Sequence, residues 1–261
     1  MKIGFFDSGL GGLTILKAVA KELPEFDYYF YGDTEHLPYG DRSEEEVYRF
    51  TKIGIEYLFV KDCSLIIVAC NTASAETLRR LQTELLIENH QHRRILGVII
   101  PTVEALCKSG IEHALLLATK RTIESKKYDT ELKKLAKISL KLTSKSTPDL
   151  VPLIELGDIN TAAEIAISAI NALPEKPKAA VLACTHYTEI KDNLREYLGE
   201  SATVFSQDEI IPRSLKNYLN NHPEITQNLT KNSERVIHLT VHKPNYDRII
   251  RHLLGGKMID E

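Results

Sequence analysis

The chain has 261 residues, 43% of them hydrophobic and 26% charged, with a formal net charge of −3. These proportions suit a globular protein with a sizeable core, arranged as one large domain or two modest ones. They argue against a dedicated nucleic-acid binder, which would carry a basic surplus, and four cysteines argue against a disulfide scaffold.

Short apolar runs alternate with longer amphipathic stretches. In chain order the expected elements are strand Lys2–Phe6, helix Gly11–Glu22, strand Asp27–Tyr31, helix Glu44–Lys61, strand Leu65–Ala69, helix Ser74–Glu88, strand Ile95–Ile99 and helix Val103–Ser109. There follow strand His113–Ala118, helix Ser125–Lys137, helix Asn160–Ala172, strand Ala179–Ala183, helix Glu189–Leu198, strand Thr203–Phe205, helix Pro212–Asn220, strand Val236–Thr240 and helix Asn245–Leu254. The strands are nearly all apolar rather than alternating, as in a parallel sheet covered on both faces. The fold class is therefore α/β. Asp7 interrupts the apolar N-terminal run too early for a signal peptide, and no window approaches a membrane span. The expectation is a cytoplasmic protein with reduced thiols.

A weak duplication divides the chain. Asp7 and Thr119 each follow an apolar strand, as do Cys70 in LIIVACNTAS and Cys184 in AVLACTHYT, and Pro101 and Pro212 each follow paired isoleucines ahead of a helix. Each pair is separated by about 110 residues, which points to two similar α/β units. The expected domains are 1–97 plus 208–261, whose tail returns to the first unit, and 98–207. Ligands bind at the carboxyl ends of strands in such folds. If the units face each other, Asp7, Cys70, Thr119 and Cys184 line one cleft at the domain boundary.

Two thiols on opposite sides of a cleft suit a reaction that needs an acid and a base on the two faces of one carbon. Inversion of a stereocentre has that requirement, because a single base tends to return the proton to its original face. Cys63 and Cys107 read as buried small hydrophobes. Cys70 and Cys184 differ, because Asn71-Thr72 and Thr185-His186 put polar donors beside each sulfur. Metal-ligand spacing is absent, so no metal is expected. His186 is placed to exchange protons with Cys184.

Asp7-Ser8-Gly9-Leu10-Gly11-Gly12-Leu13-Thr14 fails the dinucleotide, phosphate-loop and nucleophile-elbow patterns. What remains is a tight turn whose N–H groups can hold a carboxylate or a phosphate. Asp7 reads equally as a helix cap or as a group that steers a thiol or holds an ammonium. Leu37-Pro38-Tyr39-Gly40-Asp41-Arg42-Ser43 is a turn whose backbone and Tyr39 ring would line the cleft.

FDSGLGGL at Phe6–Leu13, PYG at Pro38–Gly40, ACNTAS at Ala69–Ser74 and ACTHY at Ala183–Tyr187 together resemble the glutamate racemase family in order and spacing, over essentially the whole chain. TIESKKYDTELKK at Thr122–Lys134 and LVPLIELG at Leu150–Gly157 resemble further family stretches. The chain departs from the family at Thr188 (usually proline), at Ala118 (commonly glycine) and at His242-Lys243-Pro244.

The resemblance implies a cofactor-independent enzyme of two similar α/β domains related by pseudo-twofold symmetry. It would interconvert L- and D-glutamate and supply D-glutamate for peptidoglycan. Cys70 would take the α-proton from D-glutamate with help from Asp7, and Cys184 from L-glutamate with help from His186. Substrate contacts would fall on Asp7, Ser8, Tyr39, Gly40, Asn71, Thr72, Thr119, Thr122, Thr185 and His186, with Glu155 as an acidic position near the site. The implied partner is the small-molecule substrate alone, with no membrane and no nucleic acid, and a homodimer stays open. A rival is aspartate racemase, whose members typically carry glutamate where this chain has His186. A non-catalytic binding protein on the same fold, or a thiol hydrolase that leaves one cysteine without a role, are the other readings.

Overall fold

The computed structural model describes residues 1–86, 90, 92–135, 140–244, 246–254 and 259–260. Two parallel sheets organise them. The larger runs in the order β10-β9-β2-β1-β3-β4 and the smaller in the order β6-β5-β7-β8. Its strands are β1 (Lys2–Asp7), β2 (Tyr28–Gly32), β3 (Cys63–Val68), β4 (Arg94–Gly97), β9 (Arg235–Leu239) and β10 (Ile259–Asp260) in the first sheet. The second holds β5 (His113–Ala118), β6 (Lys141–Ser146), β7 (Ala179–Ala183) and β8 (Thr203–Phe205). The segments β2-β1-β3-β4 and β6-β5-β7-β8 have the same order and the same parallel sense, which is the structural form of the duplication. The C-terminal β9 pairs with β2 of the first sheet.

In the first half, the helices are α1 (Gly12–Glu22), α2 (Glu44–Val60), α3 (Asn71–Glu76), α4 (Leu78–Leu81) and α5 (Ile99–Lys108). In the second half come α6 (Lys120–Glu124), α7 (Lys127–Leu135), α8 (Leu150–Leu156), α9 (Ile159–Asn171), α10 (Lys191–Leu198), α11 (Gln207–Asn221), α12 (Pro223–Thr226) and α13 (Tyr246–Leu254). They flank both faces of the sheets, so β1, β3 and β7 lie almost wholly in the core. This double-sided burial is why those strands read as unbroken apolar runs.

Several elements differ from the sequence reading. The stretch expected as helix Ser74–Glu88 starts earlier, at Asn71, and breaks at Thr77, whose hydroxyl bonds back to the Ala73 carbonyl. The helix expected over Ser125–Lys137 begins at Lys127, after Lys126 in the left-handed region (φ 52°) separates it from the short α6, which the sequence reading did not include. Strand Ile95–Ile99 ends at Gly97, because α5 begins before its proline rather than after it. Pro101 sits in the first turn, where a missing N–H costs little. Pro212 likewise lies inside α11, whose buried residues Ile211, Pro212, Leu215 and Leu219 hold the helix in place. The ends of two expected helices (Ile87-Glu88 and Ala136-Lys137), together with Gln91 and Asn245, lie outside the described residues. Among the described residues no helix is long and apolar enough to cross a membrane.

Gly54 shows how closely α2 lies on β1. A Cβ there would sit 2.4 Å from a Phe6 ring carbon and 2.8 Å from Tyr31. Alanine would gain about 1 kcal/mol in helix propensity, but overpacking costs about 1–3 kcal/mol. Gly54→Ala should therefore lower the melting temperature by a few degrees, read by calorimetry. A raised melting temperature would contradict this packing.

Candidate active site

Asp7 ends β1 with no exposed surface. Its Oδ2 accepts the Gly12 N–H at 3.0 Å and the Gly9 N–H at 3.3 Å. The anion held by the glycine-rich turn is thus the chain's own carboxylate. Its glycines serve close approach. A Cβ on Gly12 would lie 2.8 Å from Asp7 Cβ, and one on Gly11 would lie 2.6 Å from Thr185 Oγ1 and 2.9 Å from the His186 backbone nitrogen. The turn therefore presses directly on the residues that follow β7. The Thr185 hydroxyl completes the join, donating to Asp7 at 3.4–3.5 Å. Burial pushes the Asp7 carboxyl above its ordinary range, while the His186 charge and the glycine N–H groups pull it back only in part.

Cys70 follows β3 and caps α3, its sulfur accepting the Ala73 N–H at 3.5 Å. Ser8 Oγ lies 3.3 Å from the same sulfur. The residue is 5% exposed. Burial, reinforced by the Asp7 charge, pushes its thiol up to about 12, against the hydrogen bonds from Ser8 and Ala73. That environment favours the protonated thiol at Cys70.

Cys184 occupies the equivalent position after β7, but its surroundings differ. Its Sγ is 3.9 Å from His186 Nδ1, and His186 Nε2 is 3.2 Å from Glu155 Oε1 on α8. Burial opposes charge on this imidazole, yet the hydrogen bonds to Cys184 and Glu155 outweigh it, so its pKa lies well above the ordinary 6.5. The imidazolium is placed to exchange a proton with the Cys184 sulfur.

A cluster of hydroxyls joins the two halves. Thr72 Oγ1 is 3.0 Å from Thr119 Oγ1 and 3.3 Å from Thr122 Oγ1, and Thr119 and Thr122 are 2.9 Å apart. Thr119 also caps α6. Gly40 packs on Thr119, since a Cβ there would lie 3.0 Å from the Thr119 Cβ. The buried Tyr39 side chain turns to other work, its hydroxyl donating to Asp33 at 2.5 Å and its ring packing near Phe6 and Phe50. Asn71 is held in a buried network with Tyr128 and Gln207. Sequence reasoning singled out none of Asp33, Tyr128 or Gln207, because each acquires its role only through contacts distant in sequence. Cys63 is buried, as read; Cys107 is half-exposed on α5, which corrects the expectation of burial.

The chain matches the model of the Asp/Glu/Hydantoin racemase family over residues 14–206. It belongs to that family. It is similar to the glutamate racemase of Ruegeria sp. (strain TM1040), at 38% identity over 86% of this chain and 87% of that protein. The glutamate racemase of Ruegeria pomeroyi is 36% identical over 94% and 93%. Among solved structures, a glutamate racemase from Bacillus anthracis superposes with a TM-score of 0.88 at 31% identity, covering 100% of this chain and 96% of that one. The glutamate racemase of Francisella tularensis, solved in complex with D-glutamate, gives a TM-score of 0.86 at 26% identity, covering 99% and 95%.

The raised His186 pKa gives a signed expectation. The folded protein favours the cation, so the stabilisation from this cluster is complete below about pH 6.5 and is lost as pH rises through the raised value. Glu155→Gln removes one of the two bonds that favour the cation. The His186 imidazole, followed by NMR, should then titrate at lower pH; an unmoved titration would separate Glu155 from the site's electrostatics.

Proposed function

We propose that this chain racemises glutamate by two-base proton transfer, with Cys184 and Cys70 serving opposite faces of the α-carbon. The observation that carries this reading is a pair of thiols at equivalent strand ends of two duplicated sheets, each with its own polar partner. In the L-to-D direction the Cys184 sulfur takes the α-proton and His186 balances the charge. The Cys70 thiol then delivers its proton to the other face, leaving a thiolate. In the D-to-L direction the roles exchange, with Asp7 assisting Cys70. Each turnover moves one proton on and one off, so the chemistry balances without an electron acceptor.

The α-hydrogen is a very weak acid, so the site must stabilise the carbanion. In this reading Thr72, Thr119, Thr122 and Thr185, with the backbone about Ser8, Asn71 and Tyr39-Gly40, supply donors to the substrate's carboxylates, in a cleft from which the substrate excludes water. We take the units 1–97 plus 208–261 and 98–207 as the two walls. The D-glutamate produced would supply peptidoglycan synthesis.

Exchange in D₂O tests the mechanism face by face. The intact protein should place deuterium at the α-carbon of both enantiomers. Cys184→Ala and Cys70→Ala should each slow racemisation by about 100-fold or more. Residual deuterium wash-in should then appear only in D-glutamate for Cys184→Ala and only in L-glutamate for Cys70→Ala. Wash-in to both enantiomers by a single-thiol variant, or none by the intact protein, would overturn the reading.

A further inference from the structure

Behind Cys70 lies a polar cluster that the proton-transfer chemistry does not use. Asn71, the first residue of α3, is 2% exposed, as are Gln207 at the start of α11 and Tyr128 on α7, and Thr102 on α5 is 1% exposed. The Asn71 and Gln207 side-chain amides form a closed pair. Asn71 Nδ2 donates to Gln207 Oε1 at 2.8 Å, and Gln207 Nε2 donates to Asn71 Oδ1 at 2.8 Å. Tyr128 donates its hydroxyl to the same Oδ1 at 2.7 Å, and Gln207 Nε2 also reaches Tyr128 at 3.3 Å and Thr102 at 3.4 Å. Asn71 follows β3 of the first sheet, while Gln207 follows β8 of the second. The pair therefore bridges the two walls directly beside one thiol.

Buried amides left half-bonded carry their full desolvation penalty, so such a pair is held in one geometry or broken at real cost. A carboxylate would have served poorly here. Among the described residues no cation bonds to the cluster: Asp208 and Glu209 beside it in α11 take Lys191 and Arg195, Glu131 on α7 takes Lys127, Glu76 on α3 takes Arg121, and His186 takes Cys184 and Glu155. Facing the amide are the Tyr128 phenol, whose pKa burial raises, the Cys184 sulfur, whose charge acts on that phenol, and the Cys70 thiol beyond Asn71.

We propose that Gln207 is a positioning residue for the racemase site: by pairing with Asn71 and Tyr128 it fixes the first turn of α3, and with it the Cys70 sulfur, against the opposite wall. This rests on the two-thiol reading. It is separable from it, because the intact protein assayed alongside tests that reading by itself.

Gln207→Glu provides a readout that mere packing would not move. As a neutral acid the new side chain donates O–H to Asn71 Oδ1 and accepts from Nδ2, reproducing the pair. As a carboxylate it still accepts from Nδ2 but offers Oδ1 no donor, so the pair loses one of its two bonds and gains a buried charge. The variant should show near-native kcat/KM at the low end of the active pH range. It should lose about 10- to 100-fold as pH rises, along a limb absent from the intact protein. Gln207→Met, similar in volume but without hydrogen bonds, should be slow at every pH by a similar factor. If either fails to fold by circular dichroism, Tyr128→Phe, which removes a single hydroxyl, should still lower kcat/KM by several-fold. A folded Gln207→Met with native kcat/KM, a Gln207→Glu profile parallel to the native one, or an unaffected Tyr128→Phe would each overturn the proposal. An intact protein inactive on glutamate would instead overturn the function it rests on.

Discussion

A carboxylate with no exposed surface, at the tip of a central strand of the larger sheet, is the constraint on which the proposed site depends. Asp7 draws the glycine-rich turn around itself through two N–H groups and meets Thr185, just past β7 of the second sheet. Glycine is needed at positions 11 and 12 because any Cβ would collide with Asp7, Thr185 or the His186 backbone. The turn resembles a phosphate cradle in sequence, yet its donors are spent on an internal anion. In this way one residue ties the entry of α1 to the segment after β7 and sets the charge beside Cys70.

The duplication supplies matched positions, and the surroundings then make them unequal. Cys70 is capped by a serine and a backbone N–H near a buried negative charge, and it holds its proton. Cys184 instead sits beside an imidazole that favours its cation and is itself held by Glu155. Two chemically identical groups with unlike partners are what an acid–base pair requires. A symmetric site would give two acids or two bases. In the proposed cycle the substrate's own proton transfer reverses the assignment at each turnover.

Much of the architecture was legible in the sequence because burial on both faces writes continuous apolar runs, as in β1, β3, β5 and β7. β6 escaped because it is a sheet edge with the polar sequence KLTSKS and carries no such run. α8 escaped because it is short and contains Pro152, although Leu150, Val151 and Ile154 mark its buried face and Gly157 ends it in the left-handed region. The starts of α5 and α11 were misplaced by taking proline as a boundary. The thiols, Asp7 and His186 could be singled out because each stands at a strand end in a motif. Gln207, Tyr128 and Asp33 could not, because an amide or phenol in an ordinary helix or turn reveals nothing until the fold supplies its partner.

The two-base proposal requires one sulfur on each face of one carbon. A crystal structure of the protein with D-glutamate bound tests it most directly. The account predicts the substrate α-carbon between Cys70 Sγ and Cys184 Sγ, each about 3–4 Å away and on opposite faces, as near-attack geometry requires. Both sulfurs on the same face, or one removed from the α-carbon by intervening side chains, would contradict it.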